Sequence, residues 1–180
     1  GTAPLTYQWK KGGTDISGAN AATYTVSSTT QAADAGTYTV SVGDATGCTP
    51  ALSANAVVTI NMKPAITVGI AGTTPLCVGN TISLTATTTN AASTKWYKGT
   101  DSVGTGATFT KTATAADAGS YSVEAKGATG CTDTTSGAFP IVVNTPPSIT
   151  TQPTATQSIC EGTALNLSVV AAGTAPLTYQ

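Results

Sequence analysis

Histidine and arginine are both missing from this 180-residue sequence, and charged side chains make up only 8% of it, for a net charge of −1. Without histidine, a His-activated nucleophile and a His-containing metal site are excluded. The seven lysines are scattered, so no basic field exists to gather nucleic acid or anionic lipid. The acids Asp15, Asp34, Asp44, Asp101, Asp117, Glu124, Asp133 and Glu161 are dispersed in the same way. No Asp-x-Asp-x-Asp run offers a calcium loop, and no convergent set of acids is placed for general acid–base work. No run of about 18 apolar residues is present, so this segment is not expected to insert into a membrane. No signal peptide opens it, which makes it read as a soluble piece of something longer. Aromatics are 6% of the residues, too few to spend on a sugar-stacking surface, so Trp9 and Trp96 are assigned to a core. The expectation is a chain without enzymatic activity, cofactor or metal.

What the sequence does have is threonine and serine alternating with apolar residues, the latter 40% of the chain, in short runs with the period of two that marks strands. One stretch organises the rest. Asp34-Ala35-Gly36-Thr37-Tyr38-Thr39-Val40 recurs as Asp117-Ala118-Gly119-Ser120-Tyr121-Ser122-Val123, each copy entering a strand through an Asp and Gly turn. Trp9 precedes Tyr38 by 29 residues and Trp96 precedes Tyr121 by 25. The stretch resembles the tyrosine corner of immunoglobulin-like sandwiches, whose Tyr hydroxyl bonds back to the E–F backbone while a Trp on strand C fills the core. The resemblance implies an all-β fold class of tandem immunoglobulin-like β-sandwich domains, one complete and two partial.

The chain in order supports repeated units. Residues 1–8 return identically as 173–180, an offset of 172, so the chain begins within one repeat at strand C and ends at the same point of a later copy. Strand C is expected at about 4–10, strand E at 23–26, strand F from the corner to about Val42, and strand G from Cys48 to Ile60. Asn61-Met62-Lys63-Pro64 and Asn144-Thr145-Pro146-Pro147 stand 83 residues apart and mark the boundaries. The units are therefore 1–61 (strands C to G), 62–144 (complete) and 145–180 (strands A to C, with B at 165–169). Short proline-bearing linkers predict semi-rigid, end-to-end neighbours, and a 13-residue strand G predicts an axial step of about 40 Å. End-to-end association of two such chains would bring two copies of strand C to one place, which favours a window on a continuous polymer of repeats.

Antibody-type domains join the sheets by a Cys in strand B and another two residues after the corner Tyr. Here those places hold Leu84 or Leu167 and Val40 or Val123, so aliphatic packing replaces the pin. Cys77 and Cys160 instead precede strand B, and Cys48 and Cys131 open strand G. A Cys77–Cys131 bridge closing 54 residues would contribute about 4 kcal/mol, with free buried thiols as the alternative. Cys48 and Cys160 are expected to pair each with the matching residue of a neighbouring repeat.

A pre-B Cys, Thr-rich strands, the Asp-Ala-Gly-x-Tyr corner and Gly-Cys-Thr at strand G are together similar to the Ig-like repeats of large secreted and cell-surface proteins of the Bacteroidota, including adhesins of the gliding-motility type. The resemblance implies an extracellular, surface-located structural repeat of a fibre or adhesin stalk, or else a spacer or accessory module, glycan-binding in one version, of a secreted enzyme. It implies adjacent repeats as partners, lateral contacts between fibres, and Ser102 (Asp101-Ser102-Val103) and Thr134 (Asp133-Thr134-Thr135) as candidate O-glycosylation positions.

Overall fold

The alternating runs fold as strands, and helix is confined to two single turns, α1 (Gln31–Asp34) and a 3-10 turn at Ala115–Asp117. The computed structural model describes the backbone of residues 1–180 and all side chains but those of Gln31, Ala32, Val68 and Ile70. Contacts divide the chain into two compact units, Gly1–Met62 and Lys63–Gln180.

In the first unit β1 (Thr6–Lys11) passes through Gly12 and Gly13, at φ 55° and 84°, into β2 (Thr14–Asp15). β3 (Gly36–Gly43) pairs with β1, Trp9 opposite Val40, and on its other side with β4 (Ala51–Leu52) and β5 (Ala56–Val58). This is one layer of a sandwich. Residues 23–26, expected as strand E, form no strand, because E pairs with B and residues 1–62 contribute no strand B.

The second unit supplies both layers. Its strands are β6 (Ala65–Gly72), β7 (Leu76–Cys77), β8 (Thr81–Thr89), β9 (Ser93–Lys98), β10 (Asp101–Thr105), β11 (Thr108–Thr112), β12 (Gly119–Lys126), β13 (Thr134–Thr135), β14 (Phe139–Ile141) and β15 (Val143–Asn144). One sheet has the order β10-β9-β12, with β13 and β14 both along the far side of β12, and the other has the order β11-β8-β6. β7 pairs in parallel with β15. Alternate residues of β8 point inward: Ile82, Leu84 and Ala86 are 0%, 0% and 6% exposed, against Trp96, Tyr121 and Val123 of the other sheet at 0–1%. Each such aliphatic side chain contributes about 1.5–3 kcal/mol by burial.

Strand G is split rather than continuous in both units. Ser53 Oγ accepts the Val40 N–H at 3.0 Å, and the Ser53 N–H donates to the Val40 carbonyl at 2.9 Å. Ser136 treats Val123 in the same way, at 3.0 and 2.8 Å. A hydroxyl thus takes the place of a ladder carbonyl and interrupts the regular pairing. Beyond β15 the tail forms a two-stranded ribbon of β16 (Ser148–Thr151) and β17 (Val170–Ala172). Residues 165–169, expected as strand B, lie outside β17 because no E strand flanks them.

Candidate functional site

Each corner is built from local sequence. Tyr38 donates its hydroxyl to the Asp34 carbonyl at 2.7 Å, and Tyr121 donates to the Asp117 carbonyl at 3.0 Å. Asp117 Oδ2 accepts from the Thr114 N–H at 2.9 Å and from Thr114 Oγ1 at 2.6 Å. Thr30 and Asp34 make the corresponding contacts at 2.7 and 3.4 Å, one residue further apart, so that turn is α rather than 3-10. Gly36 and Gly119 both sit at φ 145°, where a Cβ would meet Cε of Lys11 or Lys98 at 3.0 or 2.9 Å. Those lysines donate to the Ala33 and Ala116 carbonyls, closing the turn from outside.

The corners differ in charge. Lys111 reaches Asp117 at 2.5 Å and, with the Thr114 hydroxyl, holds that carboxyl at a pKa of about 2 despite burial. The matching position in the first unit is Val26. Burial raises the Tyr121 phenol, and the Asp117 carboxylate raises it further.

A second charged group lies at the other end of β12, where Lys126 contacts Asp133 at 2.7 Å and Glu124 at 3.0 Å, and Tyr97 donates to Glu124 at 2.8 Å. Hydrogen bonds from Lys126 lower both carboxylates and raise the ammonium. Acids pushed down and a base pushed up leave this cluster poorly matched to proton transfer near neutral pH, where a catalytic group works best. It ties β9 and β12 to the F–G connection instead.

The cysteines correct the sequence reading. Cys48, Cys77 and Cys160 are free thiols, so no Cys77–Cys131 bridge is formed. The geometry of the sandwich gives the reason. Cys77 lies opposite Asn144, and neighbouring Gly79 donates to the Ala113 carbonyl at 2.9 Å, which places it beside the turn that starts β12. Cys131 lies against Gly127, just past the end of β12. Eight residues of strand separate the two places, about 26 Å, whereas a disulfide needs Cα atoms within about 7 Å. Cys48 and Cys160 are both exposed, and the partners expected for them belong to neighbouring repeats.

Trp96 is fully buried, its indole N–H donating to the Gly106 carbonyl at 2.8 Å. Trp9 is half-buried and bonds the Ala21 carbonyl at 3.0 Å. Ser102 is exposed on β10, while Thr134 is half-buried and donates its hydroxyl to the Pro64 carbonyl at 2.8 Å, a bond that a glycan there would break. Sequence reasoning missed three recurring features: the corner-closing Lys11 and Lys98, the strand-splitting Ser53 and Ser136, and the aromatic bridge of Tyr24 and Phe109. Tyr24 lies 6.1 Å from both Trp9 and Tyr38, and Phe109 lies 6.3 and 5.7 Å from Trp96 and Tyr121. All three recur at offsets close to that of the corner, which is the signal that could have found them.

Facing antiparallel sheets, a central Trp and a bonded tyrosine corner define a chain of tandem immunoglobulin-like β-sandwich units. Residues 62–147 match the family described as Ig-like domain, CHU_C associated. No curated protein matches the chain. Among solved structures it is similar to the three N-terminal domains of the bacteriophage RB49 highly immunogenic outer capsid protein, with 24% identity, 96% of this chain and 60% of that one covered, and a TM-score of 0.45. It is also similar to the insect immune protein hemolin, with 14% identity, 94% and 52% covered, and a TM-score of 0.46. The chain thus spans about half to three-fifths of those proteins, and the fold assignment rests on its own sheets and the family match.

Proposed function

We propose that this chain is a non-catalytic structural repeat of an extracellular, cell-surface fibre or adhesin stalk, extending and stiffening a support for a binding element. The observation that carries this reading is recurrence: the same corner, Trp and strand-splitting Ser return along the chain, and residues 1–8 return unchanged as 173–180. Stalks are built by repeating a unit that carries no chemistry of its own, joined by short linkers that resist bending. The matched family and the charged cluster held away from neutral titration fit that role. Ser102, exposed on an edge strand, is the better placed of the two glycan acceptors. Sequencing the whole gene and imaging its secreted product by electron microscopy test the reading. Many tandem copies forming a thin thread are expected. One or two copies beside a hydrolase domain would replace it with an enzyme spacer, and binding of the isolated repeat on a glycan array would make it a lectin-like module.

A further inference from the structure

The sandwich of the second unit takes its chain in at one pole and lets it out at the other. At the entry the Pro64 carbonyl accepts the Thr134 hydroxyl at 2.8 Å, and Thr134 lies opposite Ala125, near the end of β12. At the exit Ile141 lies opposite Gly119, the start of β12, and Val143–Asn144 follow at once as β15. The eight residues of β12 put about 26 Å between the two poles. A pull on the two ends of the chain therefore acts along the strands of this sandwich, not across them.

β7 and β15 stand where that pull is met. They run parallel, Leu76 opposite Val143 and Cys77 opposite Asn144. Tension draws β7 back toward the entry through β6 and draws β15 onward through the exit, so the two strands must slide past each other. Sliding loads all the bonds between parallel strands together, whereas peeling a strand from its end breaks them one by one. The Leu76 N–H donates to the Val142 carbonyl at 2.9 Å and the Val78 N–H to the Asn144 carbonyl at 2.8 Å. Thr74 Oγ1 adds a third bond, accepting the Val142 N–H at 2.9 Å. Leu76 is buried and Val143 packs on the core cluster, which keeps water from competing for these groups. Past β7, the Gly79 N–H donates to the Ala113 carbonyl at 2.9 Å and the Ala113 N–H to the Asn80 carbonyl at 2.7 Å, fastening the far end of the strand.

We propose that the β7–β15 pair is a mechanical clamp, by which this sandwich bears end-to-end tension and unravels only when the bonds from Thr74 to Val78 fail together. β6 does not decide the matter. Its ladder with β8 is interrupted by two register shifts, and its loss frees only residues 65–75 while β7 and β15 keep the sandwich closed. The clamp's purpose rests on the stalk reading, since a support carries tension when the element it presents is held. Its strength does not, because the number of repeats in the gene does not enter the rate at which one sandwich opens under load. Failure of the clamp and failure of the stalk reading are thereby told apart.

Single-molecule stretching of the 180-residue chain at constant force, with the chain held by tags at its two ends, tests the clamp, because forced unfolding reads the barrier and not the equilibrium. The slowest step should release roughly 240 Å, the length of chain from Leu76 to Asn144 at up to about 3.6 Å per residue. Val78→Pro removes the donor to Asn144 and should speed that step about fivefold, the rate factor for one hydrogen bond. Thr74→Val removes the bond to Val142 without touching the backbone and should speed it by a similar factor, which keeps the test decisive if the proline variant does not fold. Tyr121→Phe weakens the core away from the clamp. It should lower the denaturant midpoint yet leave the rate under load unchanged, because the Tyr121 bond is still made when the clamp gives way. Clamp variants that open at the wild-type rate, or a Tyr121→Phe chain that opens as fast as they do, would overturn the proposal.

Discussion

At the scale of single residues, the corners carry the strongest local constraint. Tyr121 spends its only polar group on the Asp117 carbonyl inside the core, and Tyr121→Phe leaves that acceptor unpaired. The expected loss is about 1–2 kcal/mol, read as a lower midpoint in denaturant without a change in slope. Asp117 sets an acid limit. Lys111 and Thr114 hold its pKa at about 2, below the value of about 3.9 in an unfolded chain. Its contribution is therefore complete above pH about 4 and is lost as pH falls from there through about 2. Asp117→Asn should lower stability at neutral pH and flatten the decline between those values, as thermal unfolding in a pH series would show. The corner itself was legible in the sequence because Asp117, Gly119 and Tyr121 lie within five residues and recur as Asp34, Gly36 and Tyr38. Lys111 was not, since it lies six residues before Asp117 on β11 and nothing in the corner's repeated pattern marks it as the carboxylate's partner.

Strands make a harder test of what a sequence says, because the same pattern met different fates. Leu84 and Leu167 occupy equivalent positions of strand B, yet one is fully buried and the other 62% exposed. Leu84→Ala should cost about 2–5 kcal/mol by opening a cavity between the sheets. Leu167→Ala should change monomer stability by no more than about 0.5 kcal/mol. Urea unfolding of both variants at low protein concentration checks the contrast. Residues 23–26 and 165–169 read as strands by alternation but lack the neighbours that make a strand, for hydrogen-bonded pairing is a property of two segments. The cysteines show the same limit. Their spacing suits a loop-closing bridge, but the length of β12 keeps Cys77 and Cys131 apart. Reductant should therefore leave the unfolding midpoint of the second unit where it is, in place of the drop of about 4 kcal/mol that loss of such a bridge would bring.

For the molecule as a whole, burial is lopsided. The hydrophobic cluster from Leu76 to Ile141 lies entirely in the second unit, whereas Ala19 and Tyr38, each 8% exposed, are the buried apolar side chains of the first among the described residues. Stability scales with apolar area removed from water, so the first unit should unfold before the second. Two transitions are expected in denaturant, the earlier one followed by Trp9 emission and the later one by Trp96. A single transition common to both tryptophans in the monomer would contradict this.

The sequence by itself determined the class of fold, the corners, the tryptophan positions and the repetition, because each of these is written in contiguous residues or in a fixed offset. Only the tertiary structure decided which strands form, which thiols can meet and which apolar faces stay open. Those outcomes depend on pairing partners and on distances across a sandwich that local sequence does not encode. A strand, a disulfide and a core each require two segments to arrive at one place, and in this chain some of the partners are at hand and others are not.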